Sequence, residues 1–232
     1  MIPLRDDNPS GSPPIVTIVF IVACVLVFLW QLSFGAQGGE RIIYALGVVP
    51  AVLLGQGQLP PDLSLVSPWM TVFTSMFMHG GWMHLIGNML YLWIFGDNVE
   101  DAFGHAGFAV FYLATAAISA WAHAVLNPSS VAPLIGASGA IAAILGVYFV
   151  LYPRSQVLTA VFLILYLDVI EVPAVIFLGV WLVMQLAAGL ASMGAGAADG
   201  GMAIAAHLTG FGTGLVAGAF LRRRQSHRGW KD

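Results

Sequence analysis

Charge is what this sequence has least of. Only 8% of its 232 residues are Asp, Glu, Lys or Arg, against about 25% in an ordinary soluble domain. Apolar residues make up 59%. A water-soluble fold of this size must cover its surface with polar groups, and too few are present. Lipid is the solvent that suits the chain. Basic residues are also scarce: the net charge is −3, which excludes the basic face of a nucleic-acid-binding protein. Cys24 is the single cysteine, so no disulfide can close within the chain and the redox compartment is not encoded. No H-E-x-x-H motif and no cysteine cluster occurs, so no metal site is expected, and no cofactor. Internal repeats and segments with a strand period are lacking as well. The amino end offers one base, Arg5, followed by Asp6 and Asp7. That is a poor start for a cleaved signal, and no small-x-small site follows the first apolar run. The run is therefore expected to remain as a helix.

What the chain does have is long apolar runs. About 20 residues in helix cross the hydrocarbon, where open backbone groups find no partner. The first run covers residues 15–34, after a Pro/Ser/Gly-rich stretch at 8–14. Residues 35–80 hold Glu40, Arg41, Asp62 and the pair Pro60-Pro61, with apolar pieces too short to span. They are predicted to form a loop domain at the interface. A second span starts near Gly81 and stops before Asp97. Residues 106–126 make the third, and 136–152 the fourth, ended by Pro153-Arg154. Residues 157–167 read as a membrane-surface segment. The fifth span is placed at 170–188, with Asp168 and Glu171 at its start favouring the helix dipole. Residues 193–201 are rich in Gly and Ala and read as a loop. The sixth span is 202–221, stopped by Arg222-Arg223-Arg224.

The predicted fold is an all-α membrane protein, a bundle of six transmembrane helices. Residues 1–14 form an N-terminal tail, 15–221 the membrane domain and 222–232 a basic tail. Basic residues favour the cytoplasmic side. With six spans both termini share a side, which collects Arg5, Arg154, the Arg222 cluster, Arg228 and Lys231; the other side has only Arg41. Both termini are thus predicted cytoplasmic, in an integral multi-pass protein whose expected setting is a bacterial cell membrane.

Polar groups inside hydrocarbon are costly and usually functional. Four stand out: His84 and Asn88 in the second span, Ser138 in the fourth and His207 in the sixth. All three spans run inward from the outer face, and each carries its polar group near its start. At 1.5 Å per residue His207 lies about 9 Å below its helix start, and Ser138 less. Three helices thus bring their polar groups to one leaflet. Around Ser138 the chain reads Gly136-Ala137-Ser138-Gly139-Ala140, leaving the hydroxyl open and letting another helix approach. His207, Gly210 and Gly214 fall at i, i+3 and i+7 on one face. Packing that face against the fourth span would put the Ser138 hydroxyl within reach of the His207 imidazole, and a serine becomes a nucleophile when such a base takes its proton. His84 and Asn88, at i and i+4, can present two N–H donors to an oxyanion, with the backbone N–H of Ser138 as a third. No acidic residue lies at comparable depth to orient His207, so a Ser-His dyad is predicted rather than a triad. His79 reads as a structural hydrogen-bonding residue; His105 and His123 show no matching partner and read as interfacial or packing residues. The glycines at 210, 214 and 218 read as close-packing positions.

Gly136-Ala137-Ser138-Gly139 and Ala206-His207-Leu208-Thr209-Gly210 resemble the paired active-site motifs of rhomboid proteases. His79-Gly80-Gly81-Trp82-Met83-His84-Leu85-Ile86-Gly87-Asn88 resembles the H-x4-H-x3-N motif of that family's second span, and Phe95-Gly96-Asp97-Asn98-Val99-Glu100-Asp101 also fits. The similarity runs from about Trp69 to Gly218, in order, on three separate spans. The chain departs from the family where Trp69 is followed by Met70 in place of an arginine. The resemblance implies cleavage of peptide bonds in or beside transmembrane helices of other membrane proteins, with Ser138 as nucleophile, His207 as general base, and His84 and Asn88 stabilising the oxyanion. It also implies that the fifth span, with Trp181 in its outer half, is a lateral gate. The partners implied are transmembrane-helix substrates and the bilayer, and no nucleic acid. Two other readings stand beside it. A catalytically silent rhomboid-like client-binding protein would typically lack the serine or the histidine. A small transporter would tend to show repeats and midplane polar groups.

Overall fold

Pro13 and Pro14 close an N-terminal arm and open the first long helix, α1 (Ile15–Leu32). Its buried residues, Thr17, Phe20, Cys24, Phe28 and Gln31, recur every three or four positions and form one stripe. The rest of the helix surface is apolar and exposed or half-buried, with Val19, Val22, Leu26 and Trp30 among the exposed residues. A helix that is hydrophobic all round but buried on one stripe only is built for lipid. In this computed structural model residues 1–163, 166–195 and 202–228 are described.

The loop domain folds into short helices: α2 (Gly35–Leu46), α3 (Pro50–Leu53) and α4 (Pro68–Thr74), followed by a 3₁₀ turn at Ser75–Phe77. Trp69 of α4 stacks on Trp121 with ring centroids 5.0 Å apart. Helix α5 (Trp82–Phe103) runs past the expected stop at Asp97 and ends at Gly104, whose φ of 73° suits only glycine readily. Helix α6 (His105–Leu126) follows at once. Next come α7 (Ser138–Leu151), α8 (Ala174–Ala195) and α9 (Met202–Arg228). Among the described residues four helices are long and apolar enough to cross a membrane: α1, α6, and the apolar stretches Ala174–Ala191 of α8 and Ile204–Arg224 of α9. Helix α7 is apolar but shorter. It lies at the centre, with every residue from Gly139 to Tyr148 buried.

The acids at the end of α5 explain why that helix continues. Glu100 accepts bonds from the Val16 and Thr17 amides at 2.9 and 2.8 Å and from the Thr17 hydroxyl at 2.7 Å. It thereby caps the open first turn of α1. His105, without a partner in the sequence reading, pairs with the same carboxylate at 2.6 Å. Asp101 accepts from the Gly11 amide at 2.7 Å and from the Ser12 hydroxyl at 2.5 Å. Asn98 donates to the Asn8 carbonyl at 2.9 Å. Residues 1–14 are thus tied to the bundle.

Three strands also depart from the all-helical expectation. β1 (Ile2–Asp6) pairs antiparallel with β2 (Gln156–Leu163), which pairs antiparallel with β3 (Tyr166–Pro173). The register runs Asp6↔Val157 and Val157↔Val172. Residues 157–167, read as a surface segment, therefore lie mostly in this hairpin, and the last long helix but one starts at Ala174, not 170. Asp168 and Glu171 sit exposed on β3, not in a first helical turn. Val157, Thr159, Val161, Val169, Ile170 and Val172 are β-branched residues suited to strands. Apolar residues on both faces of the hairpin hide the period-two signal. Helix α8 runs on to Ala195, and the rest of the expected loop, residues 196–201, lies outside the described residues.

Candidate active site

Helices α7 and α9 meet along glycines. A Cβ on Gly210 would fall 2.1 Å from the Gly139 carbonyl oxygen, one on Gly214 2.0 Å from that of Ala143, and one on Gly146 2.3 Å from that of Phe211. No side chain fits at such separations, so backbone lies on backbone. One turn along the same face from Gly210, this contact sets His207 opposite Ser138. The His207 Nε2 lies 2.7 Å from the Ser138 Oγ.

Ser138 is the first residue of α7. The chain reaches it through Gly136, at φ 110°, where a Cβ would also stand 2.7 Å from His84 Nε2. Both reasons require glycine. Gly139 is held by Ser119, whose Cβ would be 2.6 Å from an added methyl. The small residues flanking the serine are therefore there for space, and the imidazole of His84 fits directly against the backbone that precedes Ser138.

His84 lies in the first turn of α5. Its Nδ1 accepts the Gly80 N–H at 3.3 Å, which leaves the ring proton on Nε2, the nitrogen that faces Gly136. Asn88 is buried one turn on, and one of its two N–H groups bonds the His84 carbonyl at 2.9 Å. His79 is buried in the preceding loop. Gln31 of α1 grips its backbone from both sides, accepting its N–H and donating to its carbonyl at 3.1 Å each. The His79 Nδ1–H donates to the Phe77 carbonyl at 3.2 Å. Burial, with His84 adding to it, lowers the His79 pKa from 6.5 to about 4, so this imidazole is neutral at physiological pH and anchors the loop.

His84, Asn88, Ser138 and His207 line one cavity of about 220 Å³, with Trp181 and Gln185 from α8. Gln185 was not anticipated. Its Oε1 lies 2.8 Å from His207 Nδ1. A lone amide inside an apolar run was the available signal, four residues after Trp181. The Trp181 ring sits 6.2 Å from that of His207 and 5.9 Å from that of Phe211.

The family model described as Rhomboid domain matches residues 67–224. The chain is 27% identical over 199 residues to Rhomboid protein 1, mitochondrial, of Saccharomyces cerevisiae, covering 79% of this chain and 54% of that protein. It is 32% identical over 154 residues to Rhomboid protease GluP of Bacillus subtilis, covering 66% of this chain and 28% of that one. Over 76 residues it is 38% identical to Rhomboid-like protein 11, chloroplastic, of Arabidopsis thaliana, covering 32% and 26%. The matched region is about half of the yeast protein and about a quarter of the other two. With mitochondrial and chloroplastic proteins among these relatives, likeness gives no support to a specifically bacterial setting.

Proposed function

The chain belongs to the rhomboid family, and we propose that it is an intramembrane serine endopeptidase that cleaves transmembrane segments of other membrane proteins by a Ser138–His207 dyad. The observation that carries this reading is the 2.7 Å approach of His207 Nε2 to Ser138 Oγ across a glycine-packed helix pair. Such an approach lets the imidazole take the hydroxyl proton as Oγ attacks the scissile carbonyl carbon. The carbonyl electron pair moves onto oxygen, and the oxyanion is held by His84 Nε2–H, the Asn88 amide and the Ser138 backbone N–H. Collapse expels the amine, which takes the proton from His207. Water then attacks the acyl-serine as His207 accepts its proton; the acyl–Oγ bond breaks, the new carboxyl end leaves, and Ser138 Oγ takes the proton back from His207.

In this reading α1, α5, α6, α7, α8 and α9 are the six spans. The excess of basic residues at the carboxyl end puts both termini in the cytoplasm. The substrate is itself a helix in lipid and enters sideways past α8. A catalytically silent client-binding role is the second reading, and the pairing of a serine with an imidazole argues against it. Ser138→Ala and His207→Ala should each abolish cleavage of a membrane-anchored substrate. The double variant should be no worse than either single, because the pair acts as a unit. Substantial cleavage by Ser138→Ala sinks the proposal.

A further inference from the structure

Only one nitrogen of a neutral imidazole carries a proton, and catalysis by the proposed dyad needs the bare nitrogen to face the serine. Gln185 Oε1 can accept and cannot donate. Lying 2.8 Å from Nδ1, it places the proton there and leaves the Nε2 lone pair for the Ser138 O–H. The opposite amide orientation would put the proton on Nε2, facing Ser138, where the ring cannot act as a base. An amide oxygen behind the histidine is chemically sufficient, as Cys-His-Asn sites demonstrate.

Gln185 also rides on the least buried of the four long apolar helices. Trp181, Gln185 and Gly189 fall at i, i+4 and i+8 and form a narrow inward stripe, while Val183, Met184, Leu186 and Leu190 on either side are exposed. In the apolar window of α8 22% of residues are buried, against 44% in α6. Ile204 of α9 lies against Gly189, 3.0 Å from where a Cβ would stand. An outward swing of the upper half of α8 must therefore lift Gln185 off the imidazole.

We propose that Gln185 is the positioning residue for His207, and that its seat on α8 makes the orientation of the base depend on that helix being closed. This rests on the protease reading and deepens it. The outward swing that admits a substrate helix releases the ring, and reclosure sets its tautomer again with the substrate in place. The base is thus oriented after the substrate is enclosed, and idles while the site stands open.

The test uses the full chain in detergent and a small fluorophosphonate that labels Ser138 without needing lateral access. Gln185→Leu keeps the bulk and removes the acceptor. Labelling should slow by roughly ten- to a hundredfold, and turnover of a membrane substrate should fall in kcat with KM little changed. Gln185→Glu offers an acceptor with a charge, which favours the imidazolium. It should label at close to the wild-type rate at alkaline pH, with the acid limb of its pH profile moved to higher pH. A residue that merely packs would not move that limb. Wild-type labelling by Gln185→Leu, or an unchanged acid limb in Gln185→Glu, overturns the assignment. If Gln185→Leu fails to fold, the Gln185→Glu profile decides alone. Failure of the wild-type protein to label at Ser138 would instead sink the protease reading itself.

Discussion

Replacing Gly214 with alanine tests whether the backbone contact of α7 with α9 is what assembles the site. The new methyl would stand 2.0 Å from the Ala143 carbonyl oxygen, and real Cβ contacts essentially never fall below 3.0 Å. The helices must therefore part by about 1 Å at this level. Ser138 and His207 lie two turns away on the same two helices, 2.7 Å apart. A rigid separation of that size takes the pair beyond hydrogen-bonding range. Misplacement by about 1 Å can cost roughly a hundredfold in rate, and overpacking typically costs about 1–3 kcal/mol of stability. Gly212 is the matched control, since nothing lies within 4 Å of a Cβ built there. Fluorophosphonate labelling of Ser138 and thermal unfolding in detergent, both run on Gly214→Ala and Gly212→Ala, give the comparison. Gly214→Ala should label about a hundredfold more slowly and melt several degrees lower, with Gly212→Ala like wild type. Labelling at the normal rate by Gly214→Ala would refute the view that this contact sets the Ser138–His207 distance.

His84→Ala and Asn88→Ala should each lower kcat by about 10²–10³ while Ser138 still labels slowly, because each removes one oxyanion donor; unchanged turnover in both would remove them from the site. The Asp6 carboxyl on β1 is pushed up to about 6 from 3.8, chiefly by burial, with the Tyr148 hydroxyl bond pulling it down and Asp97 adding to the rise. Its protonated form therefore contributes stability that is fully present below pH 3.8 and is lost as pH rises through 6. Asp6→Asn, neutral throughout, should raise the stability above pH 7 by about 1 kcal/mol once the partial exposure of the group is discounted, read as a higher melting temperature, and change nothing near pH 4. Equal shifts at both pH values would contradict this account.

The residues that form the cavity were legible because a polar side chain in an apolar run has few innocent explanations. Ser138, His207, His84 and Asn88 announce themselves in that way, and the glycines of α9 sit at helical spacing. Gln185 obeys the same rule, but a neutral amide lacks the charge that marks a carboxylate as a histidine's partner. The hairpin of β2 and β3 was illegible for a different reason. Strand period shows only where one face is apolar and the other polar, and here Leu158, Val161, Val169 and Ile170 keep both faces apolar. Asp97, Glu100 and Asp101 looked like the end of a helix. They lie within the last turns of α5, and the amides that Glu100 and Asp101 satisfy belong to residues more than 80 positions earlier, at Gly11, Val16 and Thr17. Distance in sequence hid the partners.

Pairing of β1 with β2 also imposes an order on biogenesis. Ile2–Asp6 leave the ribosome early, yet their partners Val157–Ala160 come only after α1, α5, α6 and α7 have been made. Until then the arm carries open backbone groups and the apolar side chains of Ile2 and Leu4 beside the bilayer. The sheet is therefore a late clasp: contacts this distant in sequence form slowly, and they close only once the central helix is in place. A chain that stalls before residue 157 is left with an unpaired strand, the kind of edge that quality control and aggregation both recognise.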